Sequence, residues 1–182
     1  MSNHLFEQHG RRQAGFTLVE LVVVIIIIGI LGAIGAARYF DRRGFDSNAF
    51  AEQTRAMLRF SQKLAIAQNR AVFTQLNGST IGLCFASAMP CPSGSMVPAV
   101  AGNSGATSCS PSNWYCAAPP GTIAYAVTPS SASTICFTPL GQPGLPSGGN
   151  CTTSGFTGAT VNITGDGNTN AVSIAAETGY VF

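Results

Sequence analysis

Basic residues are missing from most of this 182-residue chain: no lysine or arginine follows Arg70, and the only acidic residues beyond that point are Asp166 and Glu177. Nucleic-acid binding draws much of its affinity from Lys and Arg neutralising phosphates, so this long segment is a poor candidate for it. Histidine is confined to His4 and His9 near the N-terminus, which leaves the rest without Ser-His or Cys-His nucleophile pairs and without histidine-based metal sites. Asp166 and Glu177 are the only carboxylates left there for acid/base work, and their nearness in sequence suits a hairpin turn better. Asp166-Gly-Asn168-Thr-Asn170 begins like a calcium loop with Glu177 at the twelfth position, but Ala171 occupies the sixth, where glycine makes the sharp turn. The chain therefore reads as no enzyme, with no catalytic residue, no metal and no cofactor. Proline is absent between Phe16 and Met89, and cysteine is absent before Cys84.

What the chain does have is one long apolar run. Leu21 to Ala37 are seventeen residues without a charge or a polar side chain. A helix from Phe16 to Tyr39 would measure roughly 36 Å at about 1.5 Å per residue, enough to cross a bilayer core of about 30 Å. Arg11 and Arg12 precede the run, so the positive-inside rule keeps the short N-terminal flank cytoplasmic and exports the remainder. A secretory signal cut near Gly35-Ala36-Ala37, or a plain signal anchor, would also fit that run. Neither explains Glu20, an ionisable group at the mouth of the run, where a carboxylate is costly without a partner. Gly29, Ala33 and Ala37, and separately Gly32 and Ala36, are spaced four apart as small-xxx-small faces.

Arg11-Arg12, then Gly15-Phe16-Thr17-Leu18-Val19-Glu20 followed by the aliphatic run, resembles the class III leader junction of type IV pilins and type II secretion pseudopilins. The resemblance implies that a membrane prepilin peptidase cuts after Gly15 and methylates the new amino terminus at Phe16. It also implies that Glu20 neutralises the amino terminus of a neighbouring subunit during assembly, a pairing in which both charges are desolvated together. Implied partners are other pilins through the N-terminal helix, the prepilin peptidase, the inner-membrane assembly platform, and the membrane itself before assembly. The implied location is the bacterial inner membrane as a single pass with a periplasmic head, then a fibre at the cell surface.

Beyond Arg38 the composition turns charged and amphipathic, with Gly44 as a flexible point. Phe50, Met57, Leu64 and Ala71 recur every seven residues, with Phe60 and Ala67 between them, and Arg55, Arg59 and Lys63 on the wet side. Asn77-Gly78 between AVFTQL and STIGLCF is a hairpin signal. Further strands are expected at 122–128 and 133–138, and a last pair in FTGATVNIT and AVSIAAETGYVF. The expected architecture is α+β: a long N-terminal helix, half membrane-spanning and half amphipathic, packed on an antiparallel β-sheet head with disulfides. Its divisions are a leader at 1–15, an apolar helix at 16–43, an amphipathic half at 44–73, and a head at 74–182 with a Cys/Pro/Ser-rich insertion at 86–121. The head has about 110 residues, an ordinary single-domain size.

Cys84, Cys91, Cys109, Cys116, Cys136 and Cys151 are an even set confined to the exported head, which reads as a disulfide framework. Fifteen pairings exist; neighbours, Cys84 to Cys91, Cys109 to Cys116 and Cys136 to Cys151, fit best. Trp114 and Tyr115, inside the insertion, are the candidate contact surface of a ligand-reading tip. SQKLAIAQNRAVFTQL, TICFTPLGQP and AAETGYVF are similar to segments of the pseudopilin H and FimT-like minor pilins. Together with the cysteines they resemble the minor pilins of mannose-sensitive haemagglutinin (MSHA) pili, of the MshC kind. That resemblance implies a low-abundance subunit that primes or supports assembly, with tip adhesion or type II secretion as the alternatives.

Overall fold

The computed structural model describes residues 16–99, 107–165 and 167–182, and of residues 36–44 the backbone assignment only. The chain divides into two units at Asp41/Arg42. Helix α1 (Leu18–Gln68) supplies nearly all of the described part of the first unit and the opening of the second, and Gly44 falls within it.

In the first unit, Leu18–Gly35 has a mean hydropathy of 2.9 and none of it is buried. A methyl group added at Gly29, Gly32 or Gly35 would meet nothing within 4 Å, so these faces stand open.

In the second unit α1 buries one stripe, Phe50, Thr54, Met57, Leu58, Ser61 and Ala65. The strict seven-residue repeat is only part of it: Phe50 and Met57 are buried and Leu64 and Ala71 half-buried, while of the residues between them Phe60 is half-buried and Ala67 exposed. A 3.6-residue helix drifts off a seven-residue repeat, so the buried stripe takes in neighbouring positions. Small polar residues fill several of these. Thr54 Oγ1 donates to Phe50 O at 2.8 Å and Ser61 Oγ to Leu58 O at 2.7 Å, so neither hydroxyl is stranded against the sheets. The helix ends in a Schellman motif: Asn69 takes φ +49°, Arg70 N–H reaches Ala65 O at 3.1 Å, and Asn69 N–H reaches Ile66 O at 3.2 Å.

Among the described residues nine strands follow: β1 (Val72–Leu76), β2 (Ile81–Cys84), β3 (Cys116–Ala117), β4 (Ala124–Thr128), β5 (Thr134–Phe137), β6 (Pro143–Ser147), β7 (Asn150–Thr152), β8 (Ala159–Gly165) and β9 (Asn168–Ile174). They form a six-stranded sheet in the order β3-β2-β1-β5-β6-β7 and a three-stranded sheet in the order β4-β8-β9, with every pairing antiparallel. Strands β1, β2 and β5 are buried at every position. Period-two alternation then requires a cover on each face. Val72, Leu76, Leu83, Ile135 and Phe137 join the core containing α1 and the three-stranded sheet. Phe73, Cys84, Cys136, Cys116 and Trp114 form a second core on the opposite face.

The three disulfides join Cys84 to Cys91, Cys109 to Cys116 and Cys136 to Cys151. Phe73 pairs across the sheet with Cys84 on one side and Cys136 on the other, so two half-cystines flank its ring in one cross-strand row. The Cys-rich loops are thus fastened over the face away from the helix. Gln75 Nε2 adds a hydrogen bond to Ala88 O at 2.6 Å.

Tyr125 ties the two sheets together. Its ring is buried with Phe50, 6.2 Å between centroids, while its hydroxyl donates to Thr80 O and accepts from Gly78 N–H at the β1–β2 turn. Gly78 holds φ +87° there, and Asn77, which does not take positive φ, shapes the turn by accepting through Oδ1 from Ser79 N–H at 2.9 Å and Thr80 N–H at 2.7 Å. Burial pushes the Tyr125 phenol up from 10.0 to about 12, partly offset by the Gly78 hydrogen bond. A raised phenol pKa favours the folded state below pH 10, and that contribution is lost as pH rises through about 12. Tyr125→Phe is expected to cost about 1–3 kcal/mol at neutral pH, because Gly78 N–H and Thr80 O lose a shared partner. It should also flatten the fall in stability between pH 10 and 12; urea titrations across that range check both.

Candidate functional site

The chain's two candidate regions are its N-terminal segment and the cysteine-stapled part of its head. Phe16 is 80% exposed and precedes the helix. Thr17 is the N-cap: its hydroxyl accepts from Glu20 N–H at 3.3 Å and its carbonyl from Leu21 N–H at 3.2 Å. Glu20 thereby sits at the third helical position, in the first turn, where the helix dipole favours a carboxylate. Its side chain is exposed, and among the described residues it has no ion-pair partner. Thr17 as a cap was not singled out from sequence, although Thr17 and Glu20 have the Thr-x-x-Glu spacing of a capping box. Gly15, the expected last residue of the leader, lies outside the described residues.

The arrangement presents an exposed phenylalanine, a capped first turn bearing one carboxylate, and an open apolar helix behind it. The apolar run needs lipid or other helices to cover it.

In the head, Trp114 and Tyr115 face inward. Trp114 is 7% exposed, its Nε1 donates to Leu83 O at 2.8 Å, and its ring lies over Gly82. Tyr115 is half-buried, edge-on to Phe60 at 5.1 Å and 82°, and burial raises its phenol pKa. Both rings offered as a contact surface are therefore committed to packing. They occupy the bridge-rich segment where Pro98 pairs with Trp114. Residues 100–106 of the expected insertion lie outside the described residues, as does Asp166 of the calcium-like loop. Asn168 and Asn170 belong to β9, where Asn170 Nδ2 donates to Ser47 Oγ at 3.2 Å.

The head's C-terminal end contains contacts that sequence did not point to. Ile174 bridges to Val181, and Ser173 and Phe182 exchange backbone hydrogen bonds of 2.9 and 3.0 Å, so the last residues continue the β9 edge. Arg59, expected on the wet face of α1, reaches Val181 O through Nε at 3.2 Å and Nη2 at 2.8 Å. Gln62 Nε2 donates to Gly141 O at 2.8 Å and Thr178 O at 2.9 Å. Acceptors 79 to 122 residues away in sequence leave no periodic signal on the helix. Arg59→Ala is expected to cost about 1 kcal/mol. It should also speed amide hydrogen exchange at Ser173 and Phe182 while leaving exchange in β1 unchanged.

Residues 10–36 match the family model of the prokaryotic N-terminal methylation motif, a stretch that contains Gly15, Phe16 and Glu20. Among solved structures, the chain is similar to the type IV minor pilin FimU of Pseudomonas aeruginosa strain PAO1 in two crystal forms. One has 16% identity and a TM-score of 0.47, covering 74% of this chain and 90% of that chain. The other has 17% identity and a TM-score of 0.46, covering 74% and 85%. No curated protein matches the chain.

Proposed function

We propose that this chain is a type IV minor pilin, a structural subunit and not an enzyme. In this reading it is cleaved after Gly15, methylated at Phe16 by a prepilin peptidase, and incorporated into an MSHA-like pilus whose assembly it primes or supports. The observation that carries the proposal is the methylation-motif match over 10–36, joined to an apolar helix from Leu18 to Gly35 that is wholly unburied. Apolar area of that extent is stable in water only when covered. Lipid covers it in the inner membrane before assembly, with the head in the periplasm, and the helices of other pilins cover it in the fibre.

Glu20 has the assembly role. A carboxylate entering an apolar environment with no partner is costly, and the amino terminus created at Phe16 of a neighbouring subunit supplies the opposite charge. A partner that arrives only on assembly sets the axial register of one subunit against the next. The Thr17 cap keeps the first turn formed, so Glu20 is held in place before its partner arrives.

Sheared surface fibre from cells lacking only this gene, compared with complemented cells, tests the proposal. Loss of fibre, restored by complementation, is expected. Fibre in normal amount from the cells lacking the gene would overturn it.

A further inference from the structure

At one end of the three-stranded sheet, where β4 and β9 finish and β8 begins, lies an open groove of about 420 Å3, within the range of about 300–1,000 Å3 usual for small-ligand sites. Its floor is a cross-strand row: Thr128 pairs with Thr160, and Thr160 with Ser173. The next row, Ala126, Asn162 and Ala171, also lacks charge. No side chain lining the groove is charged. Thr160 and Ser173 hydroxyls lie 3.1 Å apart, so one donates to the other and the pair retains one O–H to donate outward along with acceptor lone pairs. Asn162 Nδ2 donates to Thr128 Oγ1 at 3.4 Å, which leaves the Thr128 O–H as a second donor.

One wall is aromatic. Phe182 lines the groove, is 55% exposed, and stacks on Tyr180 at 6.0 Å with the planes 17° apart. Its backbone is fixed by the paired hydrogen bonds to Ser173, and the adjoining Val181 by Arg59. The wall is thus set before any ligand arrives, which lowers the ordering cost of binding.

An exposed aromatic face beside donor and acceptor hydroxyls suits a ligand with an apolar C–H face and several hydroxyls. With no basic side chain in the lining, an anionic ligand gains nothing there. We propose that this groove binds a neutral saccharide, with the C–H face of one ring against Phe182 and its hydroxyls on Thr128, Thr160 and Ser173. This site is separate from the N-terminal assembly segment and from Trp114 and Tyr115.

The test uses the full mature chain in a sugar-free zwitterionic detergent and reads saturation-transfer-difference NMR signals from maltose, cellobiose, lactose and chitobiose, with sialyllactose as the charged comparison. At least one neutral disaccharide is expected to give a saturable signal, and Thr160→Val and Phe182→Ala are each expected to weaken its affinity by about tenfold. Ser173→Ala replaces Phe182→Ala should the latter misfold. The proposal is overturned if no neutral disaccharide gives a saturable signal, if the variants bind like the parent, or if sialyllactose binds as well as the neutral sugars.

Discussion

Glu20→Ala is expected to leave cleavage after Gly15 intact and to reduce incorporation into fibre at least tenfold. Removing one member of a desolvated ion pair strands the other charge, at a cost of about 3–5 kcal/mol, and each 1.4 kcal/mol is about tenfold in an equilibrium. The local cost is smaller. The carboxylate contributes roughly 0.3–1 kcal/mol to the helix N-terminus, and the Thr17 cap accepts from the Glu20 backbone N–H, which alanine retains. Membrane-anchored, processed subunit should therefore accumulate while sheared fibre is depleted of it. Glu20→Gln separates charge from hydrogen bonding: it should fail nearly as badly as alanine. Quantitative immunoblots of membrane and sheared fractions measure both. Unchanged incorporation of Glu20→Ala would sink the registry role.

Gly82→Ala is expected to destabilise the head by about 2–4 kcal/mol, through overpacking and strain on a buried hydrogen bond. A Cβ at Gly82 would stand 2.3 Å from Trp114 Cζ2 and 2.8 Å from Cη2. The indole cannot simply step aside, because Nε1 is bonded to Leu83 O and the ring belongs to the core formed with Phe73 and the half-cystines. Trp114 is the only tryptophan in the chain. Its emission should shift to the red in the folded variant, and the urea midpoint should fall. Gly94→Ala is the control: a Cβ there meets nothing within 4 Å, and no change is expected. An unshifted emission and midpoint in Gly82→Ala would contradict the packing of Trp114 over β2.

The parts of this fold governed by local chemistry were legible in the sequence. Asn77-Gly78 marked the β1–β2 hairpin because glycine takes the positive φ of a tight turn and asparagine caps it through its side chain, and the alternating segments at 122–128 and 133–138 contain β4 and β5. Strands β6 and β7 were not legible. Pro143 and Pro146 interrupt the first, and Gly148-Gly149 lies between the two, so the segment reads as a loop until pairing with β5 and the Cys136–Cys151 bond define it as sheet. The final segment, expected as one strand to Phe182, breaks after Ile174 and returns through a turn to bridge at Val181. The inward setting of Trp114 was equally hidden, since an aromatic in a Pro- and Ser-rich stretch carries no periodicity to say which side it faces. Gly15, Phe16 and Glu20 stood out because a charge, a glycine and an apolar run occur there in fixed order. The groove gave no such signal, because its hydroxyls come from three strands and belong together only once register is known.

Mass spectrometry of the N-terminal peptide from the membrane-embedded and fibre-borne protein tests the central proposal most directly. The account predicts a mature chain that begins at Phe16 and carries one methyl group on its amino nitrogen. An N-terminus at Met1, a cut near Ala37, or an unmethylated Phe16 in sheared fibre would contradict it.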